Sequence, residues 1–223
     1  MTVRVLDAMQ DTHDTEGNIY TFNIALKRLA KQGSTTACEG IIIGMLQSGI
    51  EPSVVSYTTA IAACVADPKR SDIAAEWLNR MRSRKVQPNV ITYNTALASC
   101  LDGTLEGTMR ASSIASEMLA DIDEQLDRGV VVRDQYTNII PNFYTKTLGR
   151  QVMMQLKSNW ESGAVDKKIA KSTFFVPLLK LVEFQNTETA GFAKKQAEVV
   201  MGGVKSDEED QIDATAVNEE ELE

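Results

Sequence analysis

The 223-residue chain holds one histidine, three cysteines and five prolines, and aromatic residues make up only 6% of it. With His13 as the sole imidazole and Cys38, Cys64 and Cys100 far apart in sequence, neither a Cys/His nucleophile pair nor a His-containing metal set assembles. Three thiols do not pair evenly, and they read as free, buried groups in a reducing compartment. No run approaches the apolar length of a membrane span, and the first residues do not form a signal peptide. A basic excess is also missing. The formal net charge is −8, and residues 205–223, with nine acidic groups against Lys205, supply all of it, so residues 1–204 are neutral overall. Nucleic-acid binders are usually marked by a net basic patch, which here must come from clustering. Low glycine and proline with 43% hydrophobic residues exclude a chain disordered throughout.

What is there is a repeat. The stretch Val54 to Asn89 slides back by 35 residues to lay Phe22, Asn23, Leu26 and Leu29 under Tyr57, Thr58, Ile61 and Cys64. It slides forward by 36 to lay Tyr93, Asn94, Leu97 and Cys100 on the same places, and Pro52 matches Pro88. Tyr57, Ile61 and Cys64 make one helical stripe, and Ile73, Trp77, Leu78 and Met81 make a second. Asp67-Pro68 and Ser71, an expected N-cap, separate them, so each unit is a helical hairpin. Such units bury their apolar faces only against their neighbours.

The period, the boundaries Gly-Ile-Glu-Pro-Ser and Lys-Val-Gln-Pro-Asn, and the following Val-Val-Ser-Tyr-Thr and Val-Ile-Thr-Tyr-Asn resemble the pentatricopeptide repeat. Tetratricopeptide repeats have a shorter period and place their aromatic residues elsewhere. The resemblance implies an all-α, right-handed solenoid of about three repeats. Residues 1–18, through Val5, Leu6 and Met9, read as the end of a preceding unit. Repeats follow over 19–53, 54–89 and 90–134, the first with helices near 21–31 and 35–48 and Gly49 as a stop. The third has a longer turn at Asp102–Gly107 and a second helix prolonged to Arg128 on the stripe of Ala111, Ile114, Ala115, Met118 and Ile122. Residues 135–204 read as a degenerate helical cap with helices near 142–160, 165–185 and 188–201. Tyr136-Thr137-Asn138 echoes a repeat start, and Pro141 is expected to interrupt the helix there. Leu148, Val152 and Leu156 mark one face of the first helix, and Phe175, Leu178, Leu179 and Val182 one face of the second. Lysines 167, 168, 171, 194 and 195 read as solvated faces, and 205–223 as a disordered acidic tail.

The resemblance also implies a function. In pentatricopeptide proteins each repeat faces one base of single-stranded RNA. The reader follows the aromatic residue of the first helix, and its partner is the last residue of the repeat. Here Asn23 goes with Ser53, and Thr58 with Asn89; by the family's code these pairs suggest cytosine and adenine. Asn94 is the third reader, with no partner assigned because the boundary near Arg133-Asp134 is distorted. Tyr20, Val55 and Ile91 would sandwich the bases. The expectation is a non-catalytic RNA binder of organellar RNA processing, stability or translation, with no cofactor, small-molecule substrate or membrane contact. The alternative is an architectural subunit of an organellar ribosome or other large complex, with other proteins as its partners.

Overall fold

The structure, a computed structural model, describes residues 15–67, 70–128 and 139–184. Among the described residues every regular element is a helix: α1 (Thr15–Lys31), α2 (Thr35–Gln47), α3 (Val54–Ala66), α4 (Ser71–Ser83), α5 (Val90–Ser99), α6 (Leu105–Asp127) and α7 (Phe143–Glu161). A short α8 (Lys167–Ile169) then runs through a π-helical segment, Ala170–Phe175, into α9 (Val176–Glu183). Pro177 cannot donate to a carbonyl one turn back and its ring crowds that carbonyl, which accounts for the widened turns before it.

The hairpins close as their stripes predict. Tyr57, Ile61 and Cys64 of α3 meet Trp77, Leu78 and Met81 of α4, all buried, and the Tyr57 and Trp77 rings lie 6.0 Å apart. The second helices end in the same way. Gly49 takes a φ of 73°, its N–H and that of Ile50 return to Leu46 and Met45, and the helix stops. Lys85, 36 residues on, adopts a φ of 60° with the matching bonds to Arg82 and Met81, although it lacks glycine's freedom there. Pro52 and Pro88 follow, and each precedes a helix cap.

The units stack in two layers. In the first layer α1 packs on α3, α3 on α5 and α5 on α7; in the second, α4 packs on α6 and α6 on α9. Helices α1, α3 and α5 touch along their lengths, whereas α2 and α4 approach each other far less, so over these units the first layer is the shorter, inner side of the solenoid. The buried residues form one continuous apolar cluster from Phe22 to Phe184. Its members include Ala111, Ile114, Ala115, Met118 and Ile122 on α6, and Leu148 and Val152 on α7.

Four expectations need correction. Helix α1 starts at Thr15 rather than near 21, because Gly17 stands where Pro52 and Pro88 block backward extension. Ser71 is not a cap: its hydroxyl donates to Asp102 (3.2 Å) and accepts from Arg110 (2.8 Å), so the following hairpin recruits it. On α9 the deepest residues are Leu178 and Leu181, with Leu179 and Val182 only partly buried. Pro141 does not interrupt a helix but directly precedes the Asn142 cap of α7. The preceding-unit segment with Val5, Leu6 and Met9, the 129–138 boundary, the 188–201 helix and the 205–223 tail lie outside the described residues.

Candidate nucleic-acid interface

Each first helix after α1 opens on the same polar construction. At α3 the Ser53 hydroxyl accepts from the Ser56 N–H (3.4 Å) while Ser56 Oγ accepts from the Ser53 N–H (3.1 Å). At α5 Asn89 Oδ1 accepts from the Thr92 N–H and hydroxyl (both 2.9 Å). At α7 Asn142 Oδ1 accepts from the Thr145 N–H and hydroxyl (both 3.0 Å). Such reciprocal caps satisfy helix-start donors that would otherwise have no partner.

The residue expected to read a base ties each first helix to the box of the next. The Ser56 hydroxyl donates to Asn23 Oδ1 (2.7 Å), the Thr58 and Thr92 hydroxyls share a hydrogen bond (2.7 Å), and Asn94 Nδ2 donates to Asn142 Oδ1 (3.4 Å). The structure therefore brings Asn23 to the Ser53 box, Thr58 to the Asn89 box, and Asn94 to a box the sequence reading did not identify. Asn142 escaped notice because its link spans 48 residues, where the earlier links span 33 and 34. The signal was present as Pro141-Asn142-x-x-Thr145, which repeats Pro88-Asn89-x-x-Thr92 out of register.

Burial divides the expected site residues. Tyr20, Val55 and Ile91, each two residues before the buried aromatic of its first helix, are 70%, 45% and 46% exposed. They form a stripe along the inner layer. Asn23, Ser53 and Thr58 are half-buried beside it. Asn89, expected to face an open groove, is only 3% exposed because its cap is enclosed by the packed layer, and Asn94 is 5% exposed. The Asn94 Oδ1 has no partner among protein atoms.

The middle of the inner layer is electrically plain, although α1 carries Lys27, Arg28 and Lys31 and α7 carries Lys146 and Arg150. Helices α3 and α5 contain no Asp, Glu, Lys or Arg. The thiols offer no nucleophile, since burial pushes Cys38 up to about 11 and Cys64 and Cys100 up to about 12. Charge gathers on the outer layer. There Arg82 of α4 binds Glu117 and Asp121 of α6 and the Tyr93 hydroxyl, which itself donates to Asp121 (2.5 Å). Burial opposes the Arg82 charge, and Glu117, Tyr93 and Asp121 outweigh it. Beyond this cluster the prolonged end of α6 reaches the second boundary. A cavity of about 550 Å³ opens there between Ser53, Lys85, Pro88, Asp121, Gln125 and Arg128.

Among known proteins, the family model of the pentatricopeptide repeat domain matches residues 4–67 and 41–102. No curated protein matches the chain. The match covers the hairpins whose periods, boundary prolines and capping boxes coincide. Residues 4–102 of this chain are pentatricopeptide repeats.

Proposed function

We propose that the chain is a non-catalytic binder of single-stranded RNA that acts in an organelle, in RNA processing, stability or translation. The exposed stripe of Tyr20, Val55 and Ile91 carries this reading, because apolar side chains at a fixed step offer sites between which successive bases stack. Asn23 with Ser53, and Thr58 with Asn89, supply amide and hydroxyl groups beside that stripe, with Asn94 at the third step. At about 1–3 kcal/mol per stacked base, three steps supply on the order of 3–9 kcal/mol before the strand's ordering cost is deducted. The isolated chain is therefore a micromolar or weaker binder.

Helices α3 and α5, which hold no Lys or Arg, neutralise few phosphates, so affinity should depend weakly on salt, with a log–log slope of about −1. Titrating labelled single-stranded RNA at several salt concentrations tests this. No binding at low salt would exclude the reading, and a steep slope would move the contact to a charged surface elsewhere. One observation favours the alternative of an architectural subunit in a ribosome or similar assembly. Asn89 and Asn94 spend polar capacity on intramolecular links, as side chains kept for packing do. RNA crosslinked in cells and sequenced separates the two, since a dispersed transcript footprint supports the first and a short ribosomal footprint the second.

A further inference from the structure

Residues 139–184 lie beyond the family match, yet the start of α7 repeats the construction of the matched units. A buried proline, Pro141, precedes the cap, as Pro52 and Pro88 do. Asn142 and Thr145 close a capping box, and Asn94 of the preceding first helix bonds to it. Tyr144 then falls two residues after the cap, the place held by Val55 and Ile91, and it is 55% exposed, like them. Thr147 takes the reader's place, with its hydroxyl turned back to the Phe143 carbonyl (2.9 Å).

Two differences set this step apart. Phe143 is 82% exposed, whereas its counterparts Val54 and Val90 are partly or fully buried, so two adjacent aromatic rings stand in solvent where the second and third units show one aliphatic side chain. Lys146 replaces the buried Tyr57 and Tyr93, and its ammonium donates to the Phe184 carbonyl (2.6 Å), which fixes α9 against the base of α7. The first turn of α7 holds no carboxylate, and Arg150 is exposed one turn on. Asn94, buried at the joint, keeps Oδ1 unpartnered in the free chain.

We propose that the start of α7 is a fourth nucleotide-binding step on the inner face, where Tyr144 stacks one base of single-stranded RNA beside the Asn94–Asn142 link. This rests on the RNA-binding reading above and extends it past the family match. Exposed aromatic rings also suit protein contacts, but a ring in register with three other exposed side chains, and set like Val55 and Ile91 beside a capping box to which the preceding first helix bonds, matches a ligand that advances by one unit per hairpin. Tyr144 contributes little to the core, so its replacement leaves folding intact, and an unchanged thermal melt by circular dichroism verifies this for each variant.

The test compares the full chain with its Tyr144→Ala, Tyr144→Phe and Val55→Ala variants, by fluorescence anisotropy with a labelled single-stranded RNA long enough to span four steps. Tyr144→Ala should weaken binding about tenfold, the loss expected for one stacking side chain, while Tyr144→Phe keeps the affinity. If Val55→Ala weakens binding and Tyr144→Ala does not, the fourth step is overturned while the RNA reading stands. A wild-type chain that fails to bind the RNA at low salt overturns both.

Discussion

The two layers of the solenoid are joined by different chemistry. Between first helices the links are neutral: Ser56 to Asn23, Thr58 with Thr92, Asn94 to Asn142. Between second helices they are ionic: Arg80 reaches Glu39 on α2 at 2.7 Å, and Arg82 reaches Asp121 on α6 at 3.2 Å. A carboxylate on the inner layer would repel a phosphate chain, and a cation there would attract it without regard to sequence. The absence of charge from α3 and α5 leaves the middle of the inner face to hydroxyls, amides and apolar side chains, the groups that the proposed base reading requires.

The largest expected effect lies where the layers meet. Trp77 is 2% exposed, packs against Tyr57 and carries the Arg80 guanidinium 4.9 Å from its ring centre. Trp77→Ala should cost about 3–5 kcal/mol in a denaturant titration, the usual penalty for emptying an aromatic core site. Because Nε1 has no partner among protein atoms, Trp77→Phe should cost much less. A Trp77→Ala protein that melts like wild type would show that the layers are not held together at this ring.

A smaller effect separates ionic links from neutral ones. Asp121→Ala removes an acceptor from both Arg82 and the Tyr93 hydroxyl, and should cost about 1–3 kcal/mol. Glu39→Ala, at an exposed pair, should cost less than about 1 kcal/mol. Raising salt should shrink both losses while leaving that of Thr58→Val unchanged, because only ionic links are screened. Equal salt sensitivity in the three variants would erase the distinction between the layers.

The helical hairpins were legible in the sequence because stacking demands an apolar side chain at every turn that meets a neighbour, and Tyr57, Ile61, Trp77 and Met81 keep that spacing. The places of Tyr20, Val55 and Ile91, two residues before the aromatic core positions, came instead from the resemblance to the pentatricopeptide repeat. The fourth box was not, because the prolonged α6 and the residues after it carry Pro141 and Asn142 out of register, and Lys146 removes the aromatic marker. Nor did the sequence reveal that Asn89 is enclosed. A side chain's place beside a groove follows from register, but its exposure depends on how closely the next helix packs.

The buried thiols give the core a pH dependence of definite sign. Burial raises Cys38 from 9.0 to about 11 and Cys64 and Cys100 to about 12, and burial followed by Asp121 holds Tyr93 above its ordinary 10.0. The native state thus holds these protons more tightly than the unfolded chain. Their contribution is fully present below pH 9 and is lost as pH rises through the folded values, so the melting temperature should fall progressively above about pH 9. A flat melting temperature across that window, or rapid thiol alkylation of the native chain at neutral pH, would contradict the burial of all three cysteines.

A small structural effect offers the sharpest test of the inner layer. Asn89→Ala deletes the acceptor for the Thr92 N–H and hydroxyl, and should cost about 1 kcal/mol, as lost helix caps do. Asn89→Asp retains an acceptor oxygen in the same place, at the positive end of α5, and should cost less. The two substitutions therefore separate folding from recognition. Asp keeps the cap but exchanges an amide, which donates and accepts, for a carboxylate that only accepts. If the Thr58 and Asn89 pair reads a base, Asn89→Asp should lower affinity for adenine at that position and raise it for guanine, whose edge offers donors. The comparison uses short single-stranded RNAs that differ at that base alone, bound to a chain lengthened by further repeats so that affinities are measurable. Equal changes for adenine and guanine would mean that the cap serves only α5, and that whatever the inner layer binds is held by the exposed stripe without reading its sequence.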